Sequence, residues 1–122
     1  MPDLSPLGAR RIYRIMCNVA GCGGSIAPSE QAVLDAAAER YGINAEEAAT
    51  LLAEGLGQGK LEIGEDPLER EALIAAMIDV AAADGRLDRA ESKRLVQAAK
   101  EIGLSRDDLE AQLIPRLTGG PR

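Results

Sequence analysis

Apolar positions recur at helical spacing in two long runs. Ile12, Ile15, Met16, Val19 and Ala20 form one, and Leu73, Met77, Val80 and Ala81 form the other. Residues three and four apart share a helix face, so each run predicts a helix. Both are apolar around much of their circumference, which predicts that these two helices are the most buried and pack near each other. Polar residues mark where helices begin. Asp66-Pro67-Leu68-Glu69 offers an N-cap Asp, Pro at the first helical position and Glu at the third. Asn44-x-x-Glu47, Asp88-x-x-Glu91 and Ser105-x-x-Asp108 follow the same logic, each setting a side-chain acceptor where the first backbone N–H groups point. Ser5-Pro6 opens the first helix, and Pro28 falls in the first turn of the second. Gly42 and Gly103 end Ala-rich segments as left-handed caps, and Gly23-Gly24 and Asp84-Gly85 break the chain. Helices are predicted over 6–21, 28–41, 45–56, 67–82, 89–102 and 106–117.

The pattern repeats. Shifted by 61 residues, Met16–Leu52 falls on Met77–Leu113 without a gap. Identical pairs include Val19/Val80, Gly24/Gly85, Glu30/Glu91, Leu34/Leu95 and Gly42/Gly103. A self-similar unit of this length predicts two related helical halves, about 12–56 and 73–117, sharing one core. The glycines between Gly55 and Asp66 read as a flexible joint too short to separate domains. The expected architecture is a single all-α domain over 1–122, a compact bundle of about six to seven helices.

Composition narrows this further. With two Tyr and no Phe or Trp, the core must be built from Leu, Ile, Val, Met and Ala. Alanine loses no side-chain entropy in a helix, which favours the same fold class. The chain carries 14 Lys and Arg against 20 Asp and Glu, a net charge of −6. Nucleic-acid binding draws on phosphate neutralisation by cationic side chains, so nucleic acid is not expected as a partner. Anionic membranes are disfavoured for the same reason, and cations or basic partners are favoured. No stretch approaches the roughly 20 apolar residues of a membrane span. Val19-Ala20-Gly21-Cys22 has the look of a lipoprotein processing box, but Arg14 and Asn18 interrupt the apolar region it would need, and a cytoplasmic location is expected. Cys17 and Cys22 are too far apart for a CxxC motif, and the chain has no His. A zinc site and an acid–base catalytic set both lack ligands, so no enzyme is expected. Cys22, in a Gly-rich turn ahead of a helix, is the one candidate for a reactive thiol, and it has no obvious base.

The chemically suggestive segment runs from Asp79 to Glu91. Asp84, Asp88 and Glu91 lie within eight residues around a turn entering a helix. Carboxylates gathered on a turn can supply the oxygen ligands a hard divalent cation needs. Asp84-Gly85-x-Leu87-x-x-x-Glu91 reproduces the second half of an EF-hand loop, while Val80 and Ala82 stand where its first two acids should be. An ion there would need water or a further carboxylate such as Asp79. The same residues also have an ion-free account: Asp84-Gly85 is a good turn, Leu87 staples the helix entry, and Asp88 and Glu91 form a capping box. The equivalent stretch of the first half, Gly23-Gly24-Ser25-Ile26-Ala27-Pro28-Ser29-Glu30, keeps the Gly, the apolar residue and the Glu but neither Asp. The shared residues therefore read as requirements of the fold, and Asp84 and Asp88 as the functional candidates.

Ile78-Asp79-Val80-Ala81-Ala82-Ala83-Asp84-Gly85-Arg86-Leu87, then Glu91, then Ile102-Gly103-Leu104, resembles the signature of TerB-like proteins, named for tellurite resistance. A DnaJ-type co-chaperone carries a domain of the same family. The resemblance covers roughly residues 8–117. It implies an all-helical fold, no catalytic reaction, and a role in tellurite or stress response through metal ions and protein partners. The family's acidic cluster would fall on Asp79, Asp84, Asp88 and Glu91, with Ca²⁺ or another divalent cation as the ligand. The alternative is a metal-independent helical scaffold of the co-chaperone kind.

Overall fold

The computed structural model describes residues 5–22, 24–57, 63–83 and 89–114. Among them are six helices and no strand: α1 (Pro6–Gly21), α2 (Pro28–Arg40), α3 (Ala45–Leu56), α4 (Pro67–Ala81), α5 (Arg89–Glu101) and α6 (Arg106–Leu113). Local chemistry accounts for the starts. Ser5 Oγ accepts from the Gly8 N–H at 2.9 Å, Asn44 Oδ1 from Glu47 at 2.8 Å, Asp66 Oδ1 from Leu68 at 3.2 Å and Ser105 Oγ from Asp108 at 3.1 Å. Each bond satisfies a backbone donor that has no partner inside the helix. Pro28 opens α2 behind Ala27, which has no side-chain acceptor. There Glu30 reaches back instead and accepts the Ala27 N–H at 2.9 Å. The cap expected of Asp88 lies outside the described residues.

The ends follow from two glycines. Gly42 and Gly103 take φ of +70° and +80°, the left-handed region that only glycine enters freely. Beyond them Ile43 N–H donates to Ala38 O, and Leu104 N–H to Ala99 O, each at 2.8 Å. Tyr41 and Ile102 belong to these closing turns, so α2 and α5 stop one residue short of the expected bounds. Helix α6 ends at Leu113, and residues 115–122 lie outside the description.

One apolar cluster draws on all six helices. Its centre is α1 against α4. Ile12, Ile15 and Val19 on the first and Leu73, Met77, Ile78 and Val80 on the second are at most 2% exposed. Each such side chain contributes about 1.5–3 kcal/mol by leaving water. Helix α2 lies against both central helices, α3 along α1, α5 on α4, and α6 on α5. Helix starts recur 61 residues apart (Pro6 and Pro67, Pro28 and Arg89, Ala45 and Arg106), but α3 packs along a central helix while α6 packs on α5.

Helices α1 and α3 come unusually close at Gly55. A Cβ there would run into the Arg14 carbonyl oxygen and sit 3.0 Å from Cys17 Cβ. The buried Asn18 Nδ2 donates to Gly55 O at 2.8 Å across the same crossing. Within the segment read as a joint, Gly55 and Leu56 thus close α3, and residues 58–62 lie outside the description. Three ion pairs rivet α1 to its neighbours: Arg10 to Glu47, Arg14 to Glu54 at 2.7 Å, and Arg11 to Glu69 at 2.7 Å. The Glu at the third position of α4 therefore does not complete a capping box. Its carboxylate is taken by Arg11, a cation from the other end of the core.

Candidate functional site

Two of the four acidic candidates have described positions. Asp79 stands in the last turn of α4, half-buried, and Glu91 in the first turn of α5, 6% exposed. Both make interactions within the structure. Asp84 and Asp88 lie outside the described residues, between these two flanks. Among the described residues no three of Cys, Asp and Glu are gathered closely enough to hold a metal ion.

The 61-residue register of the sequence pairs this junction with the one between α1 and α2. Glu30, 61 residues before Glu91, is 8% exposed and spends its carboxylate on the Ala27 N–H. A buried Glu at the start of the second helix therefore has structural work to do without an ion. In the 61-residue register of the sequence, Gly23 and Ala27 stand at the places of Asp84 and Asp88.

Asp79 also belongs to a second feature that sequence reasoning missed. Between α2 and α4 runs a groove of about 410 Å³, floored by Met16 of α1 and Ile78. Val33, Ala36, Ala37, Arg40 and Tyr41 form its α2 wall. Ala72, Ala75, Ala76 and Asp79 form the α4 wall. Ala36 and Arg40 are exposed, and Val33, Tyr41, Ala72 and Ala75 are half-buried, so the groove opens to solvent along its length. Partial burial raises the pKa of the Tyr41 hydroxyl, opposed by the nearby Arg40 charge. The only sequence signal is the spacing of these residues at helical register. In so alanine-rich a chain that spacing does not distinguish a groove wall from a core face.

The cysteines lie apart from both features. Cys17 is buried beside Tyr13, and burial pushes its thiol up to about 12, with the Tyr13 hydrogen bond pulling the other way. At neutral pH it is a protonated thiol, poor as a nucleophile or metal ligand. Cys22 is half-buried at the cap of α1. No helix among the described residues is long and apolar enough to cross a membrane.

A family model described as tellurite resistance protein TerB matches residues 9–113 of the 122-residue chain. The match takes in all six helices apart from the first turn of α1. The family is helical and, in general, non-catalytic. No curated protein and no solved structure matches the chain. With six helices among the described residues and a family match over residues 9–113, the chain belongs to the TerB family.

Proposed function

We propose that this TerB-family chain is a non-catalytic cytoplasmic module of two pseudo-repeated halves. It takes up Ca²⁺ or another divalent cation at the α4–α5 turn and acts through a protein partner in tellurite or stress response. The observation that carries the reading is the contrast between equivalent turns. Glu30 accepts the Ala27 N–H, and the first half carries Gly23 and Ala27 where the second carries Asp84 and Asp88. Asp84 and Asp88 are thus added to a design that folds without them. Carboxylates close together in the chain repel one another, a cost that a bound cation would remove. Asp79 and Glu91, on the helices flanking the turn, are the further carboxylates within reach by sequence. Glu91, by analogy with Glu30, serves the helix start first and the ion second.

The test is thermal melting of the purified chain in Ca²⁺, Mg²⁺ and Zn²⁺. A one-site ligand stabilises the folded state by about 2.7 kcal/mol at a hundredfold excess over Kd. Ca²⁺ or Mg²⁺ should raise the melting temperature, and Asp84→Ala with Asp88→Ala should abolish that rise. If no ion moves the melt, the cation is dropped. The metal-independent scaffold then stands, favoured by the open groove between α2 and α4.

A further inference from the structure

We propose that the groove between α2 and α4 receives an amphipathic helix of a partner protein, seating bulky apolar side chains against the alanine walls and an acidic side chain on Arg40. This deepens the protein-partner part of the function proposed above and rests on that reading.

The walls dictate the shape of the occupant. On α2, Val33, Ala36, Ala37 and Arg40 stand at i, i+3, i+4 and i+7. On α4, Ala72, Ala75, Ala76 and Asp79 repeat the same spacing. Each wall is therefore a straight stripe two turns long, about 10 Å at 1.5 Å per residue. A trough between two such stripes accepts a third helix by ridge-into-groove packing. Alanine walls leave room for large side chains from outside, and a volume of about 410 Å³ holds several of them. No strand edge exists among the described residues, so strand addition is not on offer there.

Charge sets the chemistry of the occupant. The three arginines of α1 are all paired with glutamates of this chain. Arg40, exposed at the groove, makes no ion pair or hydrogen bond with any described residue. A guanidinium beside an apolar trough is matched by a carboxylate placed next to an apolar helix face, with a fork geometry that rewards the pairing. Asp79 on the facing wall and the net charge of −6 would turn away acids elsewhere on the partner, so the acid belongs at this one position.

The test uses a phage-displayed library of amphipathic helices, varied at the polar positions flanking the apolar face and selected on the intact chain. Ala36→Leu and Arg40→Glu are the variants, both at exposed positions and both expected to melt as the wild type does. Selected helices should carry Asp or Glu beside the apolar face. They should bind Arg40→Glu about tenfold more weakly, the size of one lost charge-assisted hydrogen bond. Replacing that acid with Lys should restore binding to Arg40→Glu. Ala36→Leu, which fills the trough, should abolish binding. Helices that bind both variants as well as wild type, or a selection yielding none, would overturn the proposal. So would self-association of the chain that Ala36→Leu removes, because the occupant would then be a second copy. The cation-dependent melt is read on the wild-type chain without any helix present, so failure here and failure of the ion reading remain distinguishable.

Discussion

At the side chain of Glu69, four parts of the chain meet. Arg11 donates to it twice, from Nε at 2.8 Å and Nη2 at 2.7 Å, and the Gly64 backbone N–H donates as well. A Cβ on Gly8 would sit 2.7 Å from its Oε1, so a side chain there would push the carboxylate aside from Arg11. The Arg11 hydrogen bonds hold the Glu69 carboxyl below the usual carboxylate range, against an opposing push from burial. A depressed folded-state pKa means stability that is present above the unfolded value of 4.5 and lost as pH falls through the folded value. Glu69→Gln should cost about 2 kcal/mol at neutral pH, because it weakens two charge-assisted hydrogen bonds from Arg11. It should also flatten the decline in melting temperature below pH about 4.5. Denaturant melts of both proteins between neutral and strongly acidic pH check this. Parallel curves for the two would show that other carboxylates govern the acid limb. The Arg10–Glu47 pair is also depressed at its acid, but it is solvent-screened and should matter far less.

At the scale of the elements, the closing turns of α2 and α5 give the cleanest case. At Gly42 and Gly103 nothing lies within 4 Å of the place a Cβ would take, so alanine would meet backbone strain and no clash. Each Gly→Ala should cost about 1–2 kcal/mol, the left-handed penalty of an L-residue, and the two should add. Urea midpoints of the singles and the double variant measure it, and a double no worse than a single would mean that the two turns are coupled. These caps are readable in the sequence because their causes are local: a glycine after an alanine-rich run, a proline behind a serine or aspartate. The helix bounds agree within a residue or so for the same reason, α6 aside. Gly55, Glu47 and Glu69 are misread or passed over in sequence because their partners stand 37 to 58 residues away. A glycine that admits a neighbouring helix looks, in sequence, like a glycine in a loop. The site is legible in a similar proportion. Asp79 and Glu91 stand out as carboxylates beside a turn. The groove does not, because whether an alanine stripe is covered or open is decided by what packs on it.

The whole molecule has one core shared by two sequence halves, and that gives a prediction about its integrity. Helix α1 meets α2, α3 and α4, while α4 meets α1, α2 and α5, so cutting between residues 57 and 63 would expose the central apolar surface on which α1 and α4 meet. Ile12, Ile15 and Val19 lose α4 in one fragment, and Leu73, Met77 and Val80 lose α1 in the other. A fragment of about 60 residues that leaves its central helix face open to water lacks the buried area to fold. Residues 1–60 and 61–122, expressed separately, should each show little helicity and no cooperative melt. Mixed in equal amounts they should regain helical circular dichroism and one cooperative transition, with the Arg11–Glu69 bond re-forming across the cut. Glu69→Gln in the second fragment should then weaken reassembly about as much as it weakens the intact chain. Either fragment melting cooperatively alone would mean that a half holds its own core, and the central pairing of α1 with α4 would be an interface between two folded units.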